Sequence, residues 1–206
     1  MTFKVKDYYY KKAKKENYLA RSIYKLEEID AKYKILKKGS LVLDLGYYPG
    51  SWIQYTSEQI GEEGRIIGID LQEINNKLSS LKNVTLFKAD FFDLKDLREI
   101  GLEKKVDVLL SDMAPNTTGV KSVDQIRSLN LVEGIFELLP TFLKPQGKLV
   151  VKLFESQIAQ DFLRKQKTLF EQFHFLRPHG TRTISKEYYV IGIGHKPTQK
   201  HTKTKK

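Results

Sequence analysis

The chain contains no cysteine, one tryptophan, two methionines and six prolines among its 206 residues. Without cysteine, disulfides, thiolate-bound metals and thiol nucleophiles are excluded. No apolar run approaches the ~20 residues that cross a bilayer. The first residues, MTFKVKDYYYKK, also lack the apolar stretch of a signal peptide. These gaps predict a soluble, cytoplasmic protein with no membrane partner. The 40% of residues that are hydrophobic suffice for one domain with a sizeable core, since a chain of this length can bury ~70% of its unfolded surface.

The net charge of +11 is unevenly placed. Residues 1–40 carry +7 and residues 195–206 carry +5, whereas residues 41–194 sum to −1. A near-neutral core with two basic ends predicts a polyanion partner, because Lys and Arg gain affinity by displacing phosphate counterions. Tyr8, Tyr9, Tyr10, Tyr18 and Tyr24 interleave the first lysines, and aromatic rings stack on unpaired bases. A solvated basic helix and a disordered tail would give the same composition.

Leu19, Ile23, Leu26 and Ile29 recur at helical spacing and predict a helix from Glu16 to Tyr33. Beyond it, short apolar runs alternate with amphipathic stretches. Strands are predicted at Leu41–Leu45, Arg65–Ile69, Val84–Ala89, Val106–Ser111, Lys148–Phe154, Phe173–Arg177 and Glu187–Gly194. Helices fit near 51–60, 73–81, 92–100, 123–143 and 156–171. Such alternation implies an α/β, Rossmann-like, mostly parallel sheet with helices on both faces. Only Pro178–Lys186 separates the last two strands, too short for a helical crossover, so the last strand is expected to run antiparallel beside the sixth. The tail from His195 has nothing apolar to pack and is expected to be disordered.

The first strand runs into Asp44-Leu45-Gly46-Tyr47-Tyr48-Pro49-Gly50. Glycines between a strand and a helix let the backbone turn sharply and approach a ligand. A dinucleotide site wants G-x-G-x-x-G, and the tyrosines here disfavour one. Asp70 ends the second strand 24 residues after Gly46, where an acid accepts hydrogen bonds from ribose hydroxyls. Asp90 ends the third strand and Asp112 the fourth. One such aspartate is ordinarily a cap or turn residue. Acids after four successive strands instead line one sheet edge, as a nucleoside-type cofactor site requires.

Across Tyr18 to Lys196 the chain resembles the FtsJ/RrmJ family of S-adenosylmethionine-dependent RNA 2′-O-methyltransferases. The resemblance rests on Ala20-Arg21-Ser22-Ile23-Tyr24-Lys25-Leu26, on Asp44-Leu45-Gly46 with Pro49-Gly50 and Trp52, and on Ser111-Asp112-Met113-Ala114-Pro115-Asn116. Val150-Val151-Lys152-Leu153-Phe154, and Arg182 through Glu187-Tyr188-Tyr189-Val190, complete it. It implies the seven-stranded class I methyltransferase sheet and S-adenosylmethionine as methyl donor, with no metal. By position, the family's catalytic Lys-Asp-Lys-Glu set falls on Lys25, Asp112, Lys152 and Glu187. The cofactor set falls on Asp44, Gly46, Pro49, Gly50, Trp52, Asp70, Leu71, Asp90, Phe91 and Asp112. Arg127, Arg177 and Arg182 are candidates for RNA phosphates or for surface salt bridges.

Lys152 lies in an otherwise apolar strand, where an unpaired ammonium is expensive. An amine with the ordinary pKa of about 10.4 is no base at neutral pH. Burial and Lys25 would lower that value, and Asp112 and Glu187 would raise it. The expected roles are Lys152 as general base or hydroxyl-orienting group, Asp112 positioning it, and Lys25 with Glu187 orienting the hydroxyl and balancing charge. Tyr47 and Tyr48 stand where the family has two alanines, and overfilling there would cost ~1–3 kcal/mol.

The expected organisation is one methyltransferase domain, 1–194, with a basic helical region at 1–40, a catalytic core at 41–194 and the tail at 195–206. The expected substrate is a uridine of large-subunit ribosomal RNA, on a pre-assembled particle, with the enzyme a monomer. A transfer RNA anticodon-loop methyltransferase and a non-catalytic RNA-binding assembly factor remain the alternatives.

Overall fold

The computed structural model describes residues 5–179, 181 and 187–196. Its centre is a seven-stranded sheet ordered β3-β2-β1-β4-β5-β7-β6. The strands are β1 (Leu41–Leu45), β2 (Arg65–Asp70), β3 (Val84–Lys88), β4 (Val106–Ser111), β5 (Leu143–Phe154), β6 (Phe170–Leu176) and β7 (Glu187–His195). β1 to β5 pair in parallel, and β7 runs antiparallel between β5 and β6. The mostly parallel Rossmann-like sheet with its last strand reversed is therefore present. Strand order turns back between β1 and β4, which opens a crevice at the carboxyl ends of those strands.

Burial on both faces explains the near-continuous apolar strands. Leu43, Leu45, Ile67, Leu109 and Val151 face one cluster, closed by α4 (Lys121–Phe142) and α5 (Gln157–Gln166) through Val132, Ile135, Leu139 and Leu163. Val42, Ile66, Val108, Leu110 and Val150 face the other. There they meet α2 (Ile23–Tyr33) and α3 (Ser51–Ile60) through Ile23, Leu26, Ile29 and Ile53. Ile23, Leu26 and Ile29 are fully buried, and each contributes at most ~1.5–3 kcal/mol. Asp30 fastens the end of α2, accepting from the Leu36 amide at 2.8 Å and the Tyr55 hydroxyl at 3.1 Å.

Four expectations change. The helix predicted from Glu16 to Tyr33 begins only at Ile23, as α2; residues 16–22 form turns in which Asn17 takes a positive φ of 61°, and a separate helix, α1 (Val5–Lys15), precedes them. The helices predicted near 73–81 and 92–100 are 3-10 turns, Asn76–Leu78, Phe91–Asp93 and Leu97–Ile100. Asn75, Asp90 and Asp96 each accept the amide two residues on, and that local bonding competes with continuous helix. β5 begins at Leu143 rather than Lys148, and an irregularity lets its next paired residue be Lys148. Finally, His195 belongs to β7 and is buried, and the Lys196 amide bonds the Leu169 carbonyl at 2.7 Å. The segment expected to be tail thus starts inside the sheet, and residues 197–206 lie outside the described ones.

Candidate active site

Strand alternation sends Lys152 of β5 and Tyr189 and Glu187 of β7 to the α2 side, since Lys152 pairs with Tyr189 and Phe154 with Glu187. α2 supplies Lys25 from the facing helix, one helical position before Leu26 in the core. Three contacts join these groups. The Lys25 ammonium lies 2.5 Å from Glu187 Oε1, and the Lys152 ammonium lies 2.9 Å from Asp112 Oδ1. The Tyr189 hydroxyl donates to Asp112 Oδ1 at 2.5 Å. Lys152 also donates to the Asp112 carbonyl. Lys25 and Lys152 are buried, so each ammonium has exchanged water for a carboxylate. All four residues expected to be catalytic therefore meet at the carboxyl ends of β4 and β5.

Burial pushes the Asp112 carboxyl up, but Lys152, then Lys25, then the Tyr189 hydroxyl pull it down further, leaving it below the ordinary range. Tyr189 itself moves the other way: burial, then the Asp112 and Glu187 charges, hold its phenol well above 10. Its ring lies 5.7 Å from the Lys25 ammonium and 5.9 Å, centre to centre, from Trp52. The sequence reasoning did not single out Tyr189. Its spacing from Glu187, two residues along one strand face, was the available signal.

The crevice beside this cluster is built by the β1–α3 turn. Gly46 has a φ of 72°, and a Cβ there would meet Met113 Cγ at 1.9 Å. Gly50 has a φ of 114° at the start of α3, and Tyr48-Pro49 is a cis peptide. Asn75 holds the Pro49 carbonyl at 2.8 Å. Asp70 accepts the Tyr48 amide at 2.8 Å and the Gln72 amide at 2.9 Å. Asp44 is buried, and neither carboxylate oxygen has a hydrogen-bond partner among the described residues. Burial, then the charges of Asp112 and Asp70, raise its pKa well above the usual carboxylate range.

The other expected cofactor residues divide between crevice and core. Trp52 is buried under Tyr189 and donates its indole N–H to the Ser22 carbonyl at 2.9 Å, tying α3 to α2. Phe91 is packed in the α4-side core, stacked on Phe92 at 4.2 Å. Asp90 caps the turn that carries them, and Leu71 is exposed. The two tyrosines separate: Tyr47 enters the α3-side core beside Gly68, and Tyr48 is half exposed. Of the arginines, Arg127 bonds the Asn116 carbonyl at 2.9 Å, Arg177 is exposed after β6, and Arg182 lies outside the described residues. Asp124 steadies the loop after Asp112 by accepting from the Thr118 and Gly119 amides.

A seven-stranded sheet with this strand order, a glycine turn after β1 and acids along one edge define a Rossmann-like methyltransferase. Residues 18–195 match the model of the FtsJ-like methyltransferase family, and the chain belongs to that family. It is 44% identical over 199 residues to ribosomal RNA large subunit methyltransferase E of Bdellovibrio bacteriovorus, covering 95% of this chain and all of that one. The protein of the same name from Methanobrevibacter smithii is 37% identical, with 97% and 94% covered. Among solved structures, a ribosomal RNA methyltransferase of Plasmodium falciparum superposes with a TM-score of 0.76 at 28% identity, covering 88% of this chain and all of that one.

Proposed function

We infer that the protein transfers a methyl group from S-adenosylmethionine to a ribose 2′-hydroxyl in RNA, with a uridine of large-subunit ribosomal RNA as the target. The observation that carries this reading is the buried Lys152–Asp112–Tyr189 chain, with the Lys25–Glu187 pair beside it, next to a crevice with an unpartnered buried carboxylate.

The crevice residues fit such a donor. Gly46 turns the backbone sharply at a positive φ with the Met113 side chain packed against it, and Asp44 offers two unsatisfied acceptors to a cationic or hydrogen-bond-donating group. The enclosed part, between Asp44, Gly46, Trp52 and Asp112, is only about 30 Å³. Asp70 and Asp90, at the end of β2 and just after β3 on the open edge, would hold the nucleoside part of such a donor. When bound, S-adenosylmethionine supplies an electrophilic methyl on a sulfonium centre.

The protein's part is the hydroxyl. Its oxygen must lose a proton as the new oxygen–carbon bond forms and the sulfur–carbon bond breaks. Lys152 Nζ would orient that oxygen and, once it has released one of its own protons to solvent, take the hydroxyl proton, the Asp112 carboxylate 2.9 Å away holding the ammonium so formed. Tyr189 fixes the Asp112 carboxylate, so Lys152 has one direction to point. Lys25, balanced by Glu187, adds a second donor for the ribose.

The basic ends complement the substrate: residues 1–40 carry +7 and the chain as a whole +11. The matched family and the ribosomal names of its relatives support ribosomal RNA over transfer RNA. Incubation of purified protein with S-adenosylmethionine and large ribosomal subunits, followed by nuclease digestion and mass spectrometry, tests this reading. A 2′-O-methyluridine is expected. A methyl on a base, or no transfer to particle or free RNA by folded protein, contradicts it.

A further inference from the structure

The opposite face of the sheet carries a second concavity that opens at the same carboxyl edge and runs back along α5. Alternation turns Tyr188 away from its neighbours Glu187 and Tyr189, so it emerges on the α5 side, in register with Leu153. There its ring meets Phe175 at 5.7 Å between centres, and Phe175 meets Phe173 at 5.6 Å, both edge to face. With α5 these rings bound a groove of about 410 Å³, within the range of sites that hold small ligands. Phe175 is 55% exposed. The enclosed Tyr188 hydroxyl has no hydrogen-bond partner among the described residues.

The groove's rim is charged. Arg164 and Lys167, at the end of α5 and in the turn after it, flank one side, and Glu155 stands on the other. Asp161 takes part of the Arg164 charge at 3.3 Å, and the two cations that line the groove are gathered at its α5 side. An apolar aromatic floor with a cationic border complements a group that is flat and apolar on its faces and anionic at its margin. An unpaired nucleotide has that chemistry.

Placement relative to the reacting centre selects the same occupant. Glu155 lies three residues beyond Lys152, roughly 10 Å along extended chain, and Tyr188 directly follows Glu187. A single strand crossing the carboxyl edge of β5 and β7 reaches both faces. We propose that the groove between α5, β6 and β7 seats an unpaired nucleotide flanking the ribose presented to Lys152. This rests on the ribose-methylation reading for its substrate, and it adds a subsite that stacks a base on Phe175 and holds its phosphate with Arg164 and Lys167.

The test uses the full chain and a fluorescent ten-nucleotide oligouridylate, with binding read by anisotropy. Phe175→Ala removes an exposed ring, so folding, checked by circular dichroism, is expected to be retained. Loss of one stacked base weakens oligouridylate binding between about fivefold and a hundredfold. The double variant Arg164→Ala with Lys167→Ala should lower the slope of log affinity against log salt by about 1.4, two single-strand phosphate contacts. Titration with S-adenosylmethionine should be unchanged in both.

Oligouridylate affinity and salt slope equal to wild type in these variants overturn the proposal, as does a wild-type protein that does not bind the oligonucleotide. Weakened binding to ribosomal particles with unchanged oligonucleotide binding also overturns it, and points to a protein occupant. Methyl transfer by wild type is measured separately. Transfer with unaltered variant affinities rejects the groove alone, whereas altered affinities without transfer reject the methylation reading and leave the groove standing.

Discussion

Tyr189→Phe deletes one oxygen from a fully buried side chain and removes the 2.5 Å hydrogen bond to Asp112. The ring stays, so packing on Trp52 and the passage of the Lys25 ammonium over it are retained. A hydrogen bond to a charged acceptor is worth ~1.5–3 kcal/mol. For a chain of this size that lowers the melting temperature by roughly 3–12 °C. The pH dependence follows from Asp112, whose folded pKa lies below its unfolded value. A carboxylate depressed in this way stabilises the fold above the unfolded pKa of ~3.9 and loses that contribution as pH falls through the folded value. Tyr189 is one of the groups that lower it, so the gap between wild type and variant should be constant from pH 8 to 5 and narrow below about pH 4. Urea unfolding across that range, followed by circular dichroism, measures the gap. A difference at pH 7 equivalent to less than 1 °C, or a gap that widens on acidification, would refute the reasoning. Methyl transfer in this variant should fall about tenfold in kcat with little change in cofactor affinity, if Tyr189 acts through the Asp112 carboxylate that it bonds.

Three further outcomes are expected. Asp44→Asn should raise the melting temperature of the ligand-free protein at pH 8, because burial and two neighbouring acids disfavour the Asp44 carboxylate. Its folded pKa is raised, so the ionisation penalty is absent below the unfolded pKa and grows as pH rises, and the variant's advantage should vanish near pH 4 while S-adenosylmethionine binds more weakly by calorimetry. Gly68→Ala should cost ~1–3 kcal/mol in denaturant unfolding, since its Cβ would lie 2.9 Å from Tyr47 Cδ1 and 2.7 Å from Leu86 Cδ2. Coupling to Tyr47→Ala in a double-mutant cycle would show that Tyr47 fills the core, and strict additivity would show that it does not. Removal of residues 197–206, which hold four lysines, should flatten the salt dependence of RNA binding by up to about three units of slope. An unchanged slope would mean that these lysines do not reach phosphate.

The sheet was legible because its strands are buried on both faces. Leu41–Leu45 and Val106–Ser111 are apolar nearly throughout and bounded by polar turns, so their limits coincide with those observed. The short link between the last two strands likewise dictated the antiparallel end. Segments governed by local side-chain bonding were harder to read. Asp90 and Asp96 occur among residues with helical spacing, yet their side chains draw the following amides into separate 3-10 turns. His195 reads as the start of a basic tail, although its ring packs on Phe170 and faces the Lys144 carbonyl.

The four charged residues of the centre were located through family resemblance, since a lysine on a basic helix, as Lys25 is, gives no sign from composition that it is buried. The resemblance also grouped Asp112 with Lys152 and Lys25 with Glu187, and the structure pairs them in that way. Lys25 with Glu187 and Lys152 with Asp112 are set by strand register and by the packing of α2. The departure at Tyr47–Tyr48 has a physical resolution of the same kind: Gly68 on β2 leaves room for the first ring, and the second faces outward.

The most direct test of the account is the single-turnover rate of methyl transfer to large-subunit ribosomal RNA by Lys152→Ala, with RNA and S-adenosylmethionine both bound at saturation. The account predicts a rate reduced by ~10²–10⁴-fold, with both binding constants within a few-fold of wild type. A rate within about threefold of wild type would contradict it, because the hydroxyl would then need no help from the amine at the centre of the site.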